Sequence, residues 1–423
     1  MVYVILLACL AIGTPIFIAI LASLFYFMAV GEFPYHIRQV STQMFGGLES
    51  YPLLAIPLFI LAGELMNESG ITRRIIDLAS LIFARLRAGL AMVNIWASVI
   101  FAGLSGSAVA DTAAIGRIFV PEMERRGYPR DFSAALTAAS SVIGPIIPPS
   151  IPVIIYALTV TGVSVPALFM AGVVPGLLLA VFLSVYVLIF AGHYEKPDPD
   201  AVGRPAAGVL LNGLIPLMMP IFVVGSILLG VVTPTEAASF AVMYALLVGV
   251  LIFRELKITA LPRLFATAMR DSSIIMVVIG AVSAANWVLT YNRVPNMITE
   301  FALQYMNVPW MFLCAVIVLF LVVGLFLEGI AAMLVLVPIL HPIAVSLGID
   351  PVHFGIVVIF NLMIGLITPP MGLCLFVADF VANVGLGKLI KRIMPLFLVE
   401  VLVLLIITFF PDTVTFLPRL LGL

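Results

Sequence analysis

Two prolines in a row end an α-helix, and this chain places such a pair twice inside apolar sequence. Ile143-Gly144-Pro145-Ile146-Ile147-Pro148-Pro149-Ser150 returns 221 residues later as Ile364-Gly365-Leu366-Ile367-Thr368-Pro369-Pro370-Met371. Each proline removes a backbone donor and clashes with the preceding turn, so neither copy continues a helix. Within lipid, the freed backbone groups are tolerated only where protein buries them or they line a cavity. Matched breaks in two halves of a chain point to a transporter binding site.

The surroundings of both breaks are membrane sequence. The chain has 423 residues, 63% hydrophobic and 10% charged, with a mean hydropathy of +1.27; a soluble domain carries about 25% charged residues. Apolar runs at 2–30, 51–66, 169–191, 207–231, 236–253, 272–291, 309–327 and 393–410 approach the span length, which is about 20 residues. With the broken pieces included, an all-α polytopic membrane protein of about 10–12 membrane segments is expected. The first run lacks a basic leader and is too long for a signal core, so a retained first helix is expected. Cys9, Cys314 and Cys374 lie in apolar runs and imply packing rather than a disulfide or metal framework. The net charge of −1 says nothing about partners, and the absence of a basic stripe argues against nucleic acid. The segment from Gly192 to Pro205 reads as a linker dividing the chain into halves 1–206 and 207–423.

The repeat extends beyond the motif. Aligned without gaps, 103–150 and 324–371 share Gly103/Gly324, Leu104/Leu325, Ala110/Ala331, Pro121/Pro342, Gly127/Gly348 and the residues of the break. Most of these are Gly or Pro, which fix backbone shape, so shape is what repeats. Each copy reads as a re-entrant hairpin followed by a broken helix. The hairpins are expected at about 89–120, turning near 103–107, and about 310–341, turning near 324–329. The broken helices are expected at about 131–162 and about 353–383, with arms at about 31–88 and 254–308.

Charge indicates that the copies are inverted, because cytoplasmic loops are enriched in Lys and Arg. Arg73, Arg74, Arg85 and Arg87 precede the first copy, and Arg125, Arg126 and Arg130 follow its hairpin. The matching flanks of the second copy hold only Arg293. With a cytoplasmic N-terminus, sixteen of the 20 basic residues fall inside; Arg38, Arg293 and Arg419 fall outside and Arg117 lies within the first hairpin. Unpaired carbonyls and hydroxyls at a hairpin tip and a helix break suit a hard cation such as Na⁺, and helix N-termini suit a carboxylate.

At these residues the chain resembles the large membrane subunit of tripartite ATP-independent periplasmic (TRAP) transporters. The resemblance covers essentially the whole chain. It rests on Ser105-Gly106-Ser107-Ala108 with Ala113-Ala114-Ile115-Gly116, both Pro-Pro breaks, and Thr233-Pro234-Thr235-Glu236-Ala237-Ala238. It implies an elevator-type fold of the ion-transporter superfamily in a bacterial or archaeal inner membrane. It also implies a small four-helix membrane subunit, a periplasmic substrate-binding protein and a small organic anion as substrate. No cofactor is implied beyond Na⁺ as the coupling ion.

Carried over by position, the first sodium site would use Ser105, Gly106, Ser107, Gly144, Pro148 and Ser150. The second would use Gly324, Gly329, Gly365, Thr368, Pro369, Gly372 and Asp379. Ser105, Ser107, Pro149 and Pro370 would meet the substrate. No four-helix block appears at either end, so the small subunit is expected as a separate polypeptide.

Charges inside membrane segments are functional candidates by default, here Asp111, Glu328 and Asp379. Asp111 reads as shaping the first hairpin and Glu328 as capping the second. Thr233-Pro234-Thr235-Glu236 reads as a capping box with Pro at the first helical position. An enzyme reading also exists, because Gly103-Leu104-Ser105-Gly106 matches the short pattern of rhomboid-like intramembrane serine proteases. Such chemistry needs a buried histidine base, and His36, His193, His341 and His353 all fall in or beside loops. A stand-alone sodium–dicarboxylate symporter of the same superfamily is the other alternative. No nucleotide-binding motif is present.

Overall fold

The computed structural model describes all residues except 1–4, 6–7, 10–11, 31–36, 85, 161, 196–205, 306–307, 326–328 and 370–371. Every regular element among them is helical. The first half runs α1 (Ile16–Val30), α2 (Ile37–Gly46), α3 (Ala55–Glu68), α4 (Ile71–Phe83), α5 (Gly89–Ser105), α6 (Ala108–Arg125), α7 (Arg130–Ser141), α8 (Ile151–Thr159) and α9 (Val165–Phe190). The second runs α10 (Ala206–Leu228), α11 (Pro234–Leu247), α12 (Leu261–Tyr291), α13 (Val294–Tyr305), α14 (Pro309–Gly324), α15 (Gly329–Ser346), α16 (Pro351–Gly365), α17 (Leu373–Ala382), α18 (Leu386–Phe409) and α19 (Asp412–Leu420).

Among the described residues, six helices are long and apolar enough to cross a membrane. The pair Arg38–Gly46 and Tyr51–Glu68, bent by 67°, makes a seventh candidate span. Five shorter apolar helices remain, and four of them, α5, α14, α16 and α17, are hairpin arms and halves of broken helices. Short helices are what the two proline breaks and two tips leave behind. Exposed apolar side chains such as Leu177, Val181, Val185 and Ile189 on α9 form a lipid-facing surface.

Helix starts follow the local sequence. Ser107, Ser150, Ser164 and Asp350 each place a side-chain oxygen on an N–H of the first turn of α6, α8, α9 and α16. These caps satisfy donors that have no partner within the helix. Thr233 and Glu236 form the reciprocal capping box at α11, with Glu236 Oε2 accepting from the Thr233 N–H at 2.7 Å.

The helices pack in two groups. In the first, α12 lies against α1, α2 and α3, α3 packs on α11, and α4 packs on α10. In the second, α7 packs on α6, α17 and α18, α9 packs on α18 and α19, and α14 and α15 flank α16. The groups meet where α3 and α4 touch α5 and where α12 and α13 touch α15. At the centre of the second group, α7 is buried throughout Phe132–Ser141 and α16 throughout His353–Gly365. Small residues on α7 allow this close packing. Its polar side chains are paired: Thr137 Oγ1 accepts from Asn94 Nδ2 at 2.8 Å, and the Ser98 and Ser140 hydroxyls are bonded at 2.9 Å.

Several basic residues that the charge rule groups on one membrane face are held in ion pairs. Arg74 pairs with Glu255 at 2.8 Å, Arg392 with Asp131 at 2.9 Å, and Arg126 approaches Glu195 at 3.8 Å. The Tyr128 hydroxyl also reaches Glu195, and burial there pushes the phenol above its ordinary range.

Candidate functional site

The first hairpin turns at Gly106 and Ser107. Gly106 has φ +60°, the left-handed conformation that glycine adopts without Cβ strain. Ser107 then caps α6, and its oxygen accepts from the Ala110 N–H at 3.4 Å. Among the described residues, the N–H groups of Ala108 and Val109 have no acceptor. The tip therefore presents free donors at the positive end of an 18-residue helix.

The first break unwinds from Val142 to Ser150 and contains a cis peptide between Pro148 and Pro149. The Ser150 hydroxyl bonds the Pro145 carbonyl. The carbonyls of Gly144, Pro148 and Pro149 accept no hydrogen bond from the described residues. Those of Pro148 and Pro149 face the glycines of the tip, within 3.6 Å and 3.3 Å of an ideal Cβ on Gly103 and Gly106. Hairpin and break thus meet backbone to backbone.

Asp111 occupies this junction. It is fully buried, and Ser105 donates its hydroxyl to Oδ1. Oδ2 has no hydrogen-bond partner among the described residues. It lies directly against Gly144, where an ideal Cβ would fall less than 3.0 Å away. A buried carboxylate oxygen without a partner is costly unless something fills that role. The sequence marks Asp111 as a functional candidate and reads it as shaping the hairpin; the structure brings it to the first junction. Its position in the first turn after a capped tip is the signal that identifies it.

The second junction is built differently. Gly324, at the end of α14, touches Gly365, at the end of α16: an ideal Cβ on either would stand 3.2 Å from the other's Cα. Gly329 opens α15 against Leu362. Thr368 is buried and donates its hydroxyl to the Ile364 carbonyl at 2.8 Å, which leaves its oxygen lone pairs available. Pro369 follows it, and Gly372 packs on the Leu366 and Ile367 backbone as it opens α17. In place of Asp111 this copy has Ala332. Glu328 and Pro370 lie outside the described residues.

Asp379 does not join this set. It sits seven residues into α17, roughly 10 Å along the axis from the break. There its carboxylate accepts from the Gly385 N–H at 2.7 Å and closes the turn into α18. The two junctions are neighbours, because α17 packs on α6 of the first hairpin and one cavity is lined by Ser105 and Ser107 of the first tip and by Gly329, Leu366 and Leu373 of the second junction.

A cavity of about 210 Å³ opens between the two helix groups at the first tip. Ser105 and Ser107 line it, as does Pro145 of the break; Pro149 does not. Its far wall comes from α3 and α12, including Glu64, Asn67 and Asp271. α3 reaches the tip through Gly63, where an ideal Cβ would be 3.4 Å from Ser105 Cα. These wall residues carry no motif, and the charges at 64 and 271 in apolar helices were their only mark.

Ser105 bonds a carboxylate, not an imidazole. His341 Nδ1 is 3.1 Å from the Tyr156 hydroxyl, and His353 Nε2 is 2.9 Å from the Ile407 carbonyl, so neither attends Ser105.

A polytopic helical protein with paired hairpin–break junctions and a cavity between two helix groups is a transporter, and comparison with known proteins gives its kind. Residues 3–413 match the family described as the tripartite ATP-independent periplasmic transporter, DctM component. The chain belongs to that family and is a membrane permease subunit, not an enzyme. It is 36% identical to the sialic acid TRAP transporter large permease protein SiaM of Vibrio cholerae, over 91% of this chain and 90% of that one. It is 38% identical to the C4-dicarboxylate TRAP transporter large permease protein DctM of Pseudomonas aeruginosa, over 92% and 91%. Its fold is similar to the solved Alcanivorax borkumensis YdaH transporter, with a TM-score of 0.64 at 16% identity over 89% of each chain.

Proposed function

We propose that this permease subunit carries out sodium-driven uptake of a small organic anion. A small membrane subunit and a periplasmic binding protein complete the system, which lies in the inner membrane of a bacterium with the N-terminus of this chain cytoplasmic. The observation that carries the coupling is the orphaned Oδ2 of Asp111. The Ser105 hydroxyl holds the other oxygen of the same carboxylate, and Gly144, whose carbonyl accepts no hydrogen bond from the described residues, lies against Oδ2. One carboxylate with neutral oxygens suits a hard cation, and Na⁺ there would supply the missing partner.

The rest of the cycle follows from packing. Na⁺ draws the hairpin and the break together and so orders the tip that faces the cavity. The anion is held at the tip by the free N–H groups of α6 and the Ser107 hydroxyl. The hairpin-bearing group then moves against the group built around α3 and α12, in an elevator-type exchange. The second junction binds a second Na⁺ through Thr368 and the backbone near Gly324 and Gly365.

Reconstitution with the partner subunits tests this reading. An inward Na⁺ gradient should drive uptake of labelled acids, and Asp111→Asn should remove the sodium dependence while the protein still assembles. Uptake by Asp111→Asn with the parental sodium dependence would reject the site.

A further inference from the structure

The charges lining the cavity narrow the substrate class; this inference rests on the reading that the cavity is the substrate's. No Lys, Arg or His is among the described lining residues. The end formed by the first tip offers donors, namely the Ala108 and Val109 N–H groups and the Ser107 hydroxyl. The opposite wall offers acceptors. Glu64 and Asp271 both line it, and among the described residues Asn67 Oδ1 is buried without a partner. Arg263, the basic residue that acts on Glu64, is itself engaged by Glu68 at 3.0 Å.

We infer that this cavity selects acids with one carboxylate and hydrogen-bond donors, hydroxyl or ammonium, at the other end, and rejects symmetric dicarboxylates. One carboxylate fits the helix N-terminus. A second would meet Glu64 and Asp271 with no basic side chain among the described lining residues to offset them, and like charges juxtaposed in a partly desolvated site are strongly unfavourable. Hydroxyl or ammonium donors would instead satisfy the Glu64 and Asp271 carboxylates and Asn67 Oδ1. The volume suits a small acid: about 210 Å³ corresponds to about seven water molecules at roughly 30 Å³ each. Glu64, Asn67 and Asp271 are therefore specificity-determining residues.

Alkylation protection reads this directly without the binding protein. Ile275→Cys introduces a thiol on the cavity wall, and membranes holding the permease with its small subunit are treated with a maleimide in the presence of Na⁺; labelling is read as the increment over the parent chain, which carries Cys9, Cys314 and Cys374. Threonate and 4-aminobutyrate should give half-protection at concentrations at least about tenfold below that of succinate. Adding Glu64→Gln and Asp271→Asn should shrink the ratio to within about threefold. Succinate protecting as well as threonate in the Ile275→Cys protein would overturn the proposal, even if the triple variant failed to assemble. An unchanged ratio in an assembled triple variant would also overturn it. Protection by none of the acids would reject the cavity as the substrate's, whereas sodium-driven uptake in the reconstituted system would still stand or fall on its own.

Discussion

Gly144→Ala is the sharpest probe of the first junction. An alanine Cβ would lie less than 3.0 Å from Asp111 Oδ2 and 3.2 Å from the Ser141 carbonyl oxygen. Asp111 has only a short side chain, and its other oxygen is held by Ser105. Relief requires the carboxylate to swing by on the order of 1 Å, towards the ~3.5 Å at which carbon atoms normally make contact. That swing strains a hydrogen bond to a charged group, worth about 1.5–3 kcal/mol. It also misplaces Oδ2 for a bound ion. A loss of about 2–3 kcal/mol in the Na⁺-bound state weakens apparent Na⁺ affinity by roughly 30- to 150-fold. The assay is a Na⁺ titration of the thermal unfolding midpoint of the purified complex. Gly116→Ala is the control in the same hairpin arm, because its Cβ would meet Val381 and Thr137 at 3.6 Å and 3.7 Å, ordinary contact distances. Gly116→Ala should leave the titration within about twofold of the parent, a change of under 0.5 kcal/mol. A folded Gly144→Ala protein whose Na⁺ affinity also stays within that range would refute the reasoning, since Asp111 would then not need its place against Gly144.

Other sites give independent tests. Gly365→Ala would drive a Cβ against Gly324 Cα at 3.2 Å; the two backbones must part, and sodium-driven uptake should fall while the Asp111 junction keeps its own response. Thr368→Ala should weaken sodium-driven uptake without unfolding the protein, and unchanged sodium dependence would remove Thr368 from the second junction. Asp379→Ala should leave sodium dependence intact, because that carboxylate serves the turn at Gly385; a lost dependence would return it to the site. Glu400 is fully buried in the apolar stripe of α18 with neither carboxylate oxygen partnered among the described residues. Glu400→Leu should therefore raise thermal stability by about 1–3 kcal/mol; a lowered unfolding midpoint would show that Glu400 has a partner or a role.

The sequence made the second structural group legible because its decisive residues act locally. Single prolines such as Pro121 and Pro175 are carried within helices, but the paired prolines of each motif remove two donors in succession beside a glycine, and Gly106 permits a left-handed turn wherever it lies. The structure accordingly interrupts α7 and α16 at the two motifs and turns the first hairpin at Gly106 and Ser107. The Thr233–Glu236 capping box is equally local and is present as read. Asp379 follows the second break by about two turns, and only the structure shows that its carboxylate serves the turn at Gly385. Along a helix, seven residues carry a side chain roughly 10 Å away.

Backbone shape, membrane embedding and the repeat of hairpin and break are properties of short stretches, and the chain encodes them in prolines, glycines, caps and apolar runs. Which side chains face one another across the site is not a property of any stretch. The orphaned oxygen of Asp111 has meaning only because Gly144, 33 residues on, leaves room for it. Glu64 and Asp271 share a cavity wall only because α3 packs on α12, more than 200 residues later in the chain. Long-range packing brings these groups together, and Coulomb energy depends on their distance in space rather than in sequence.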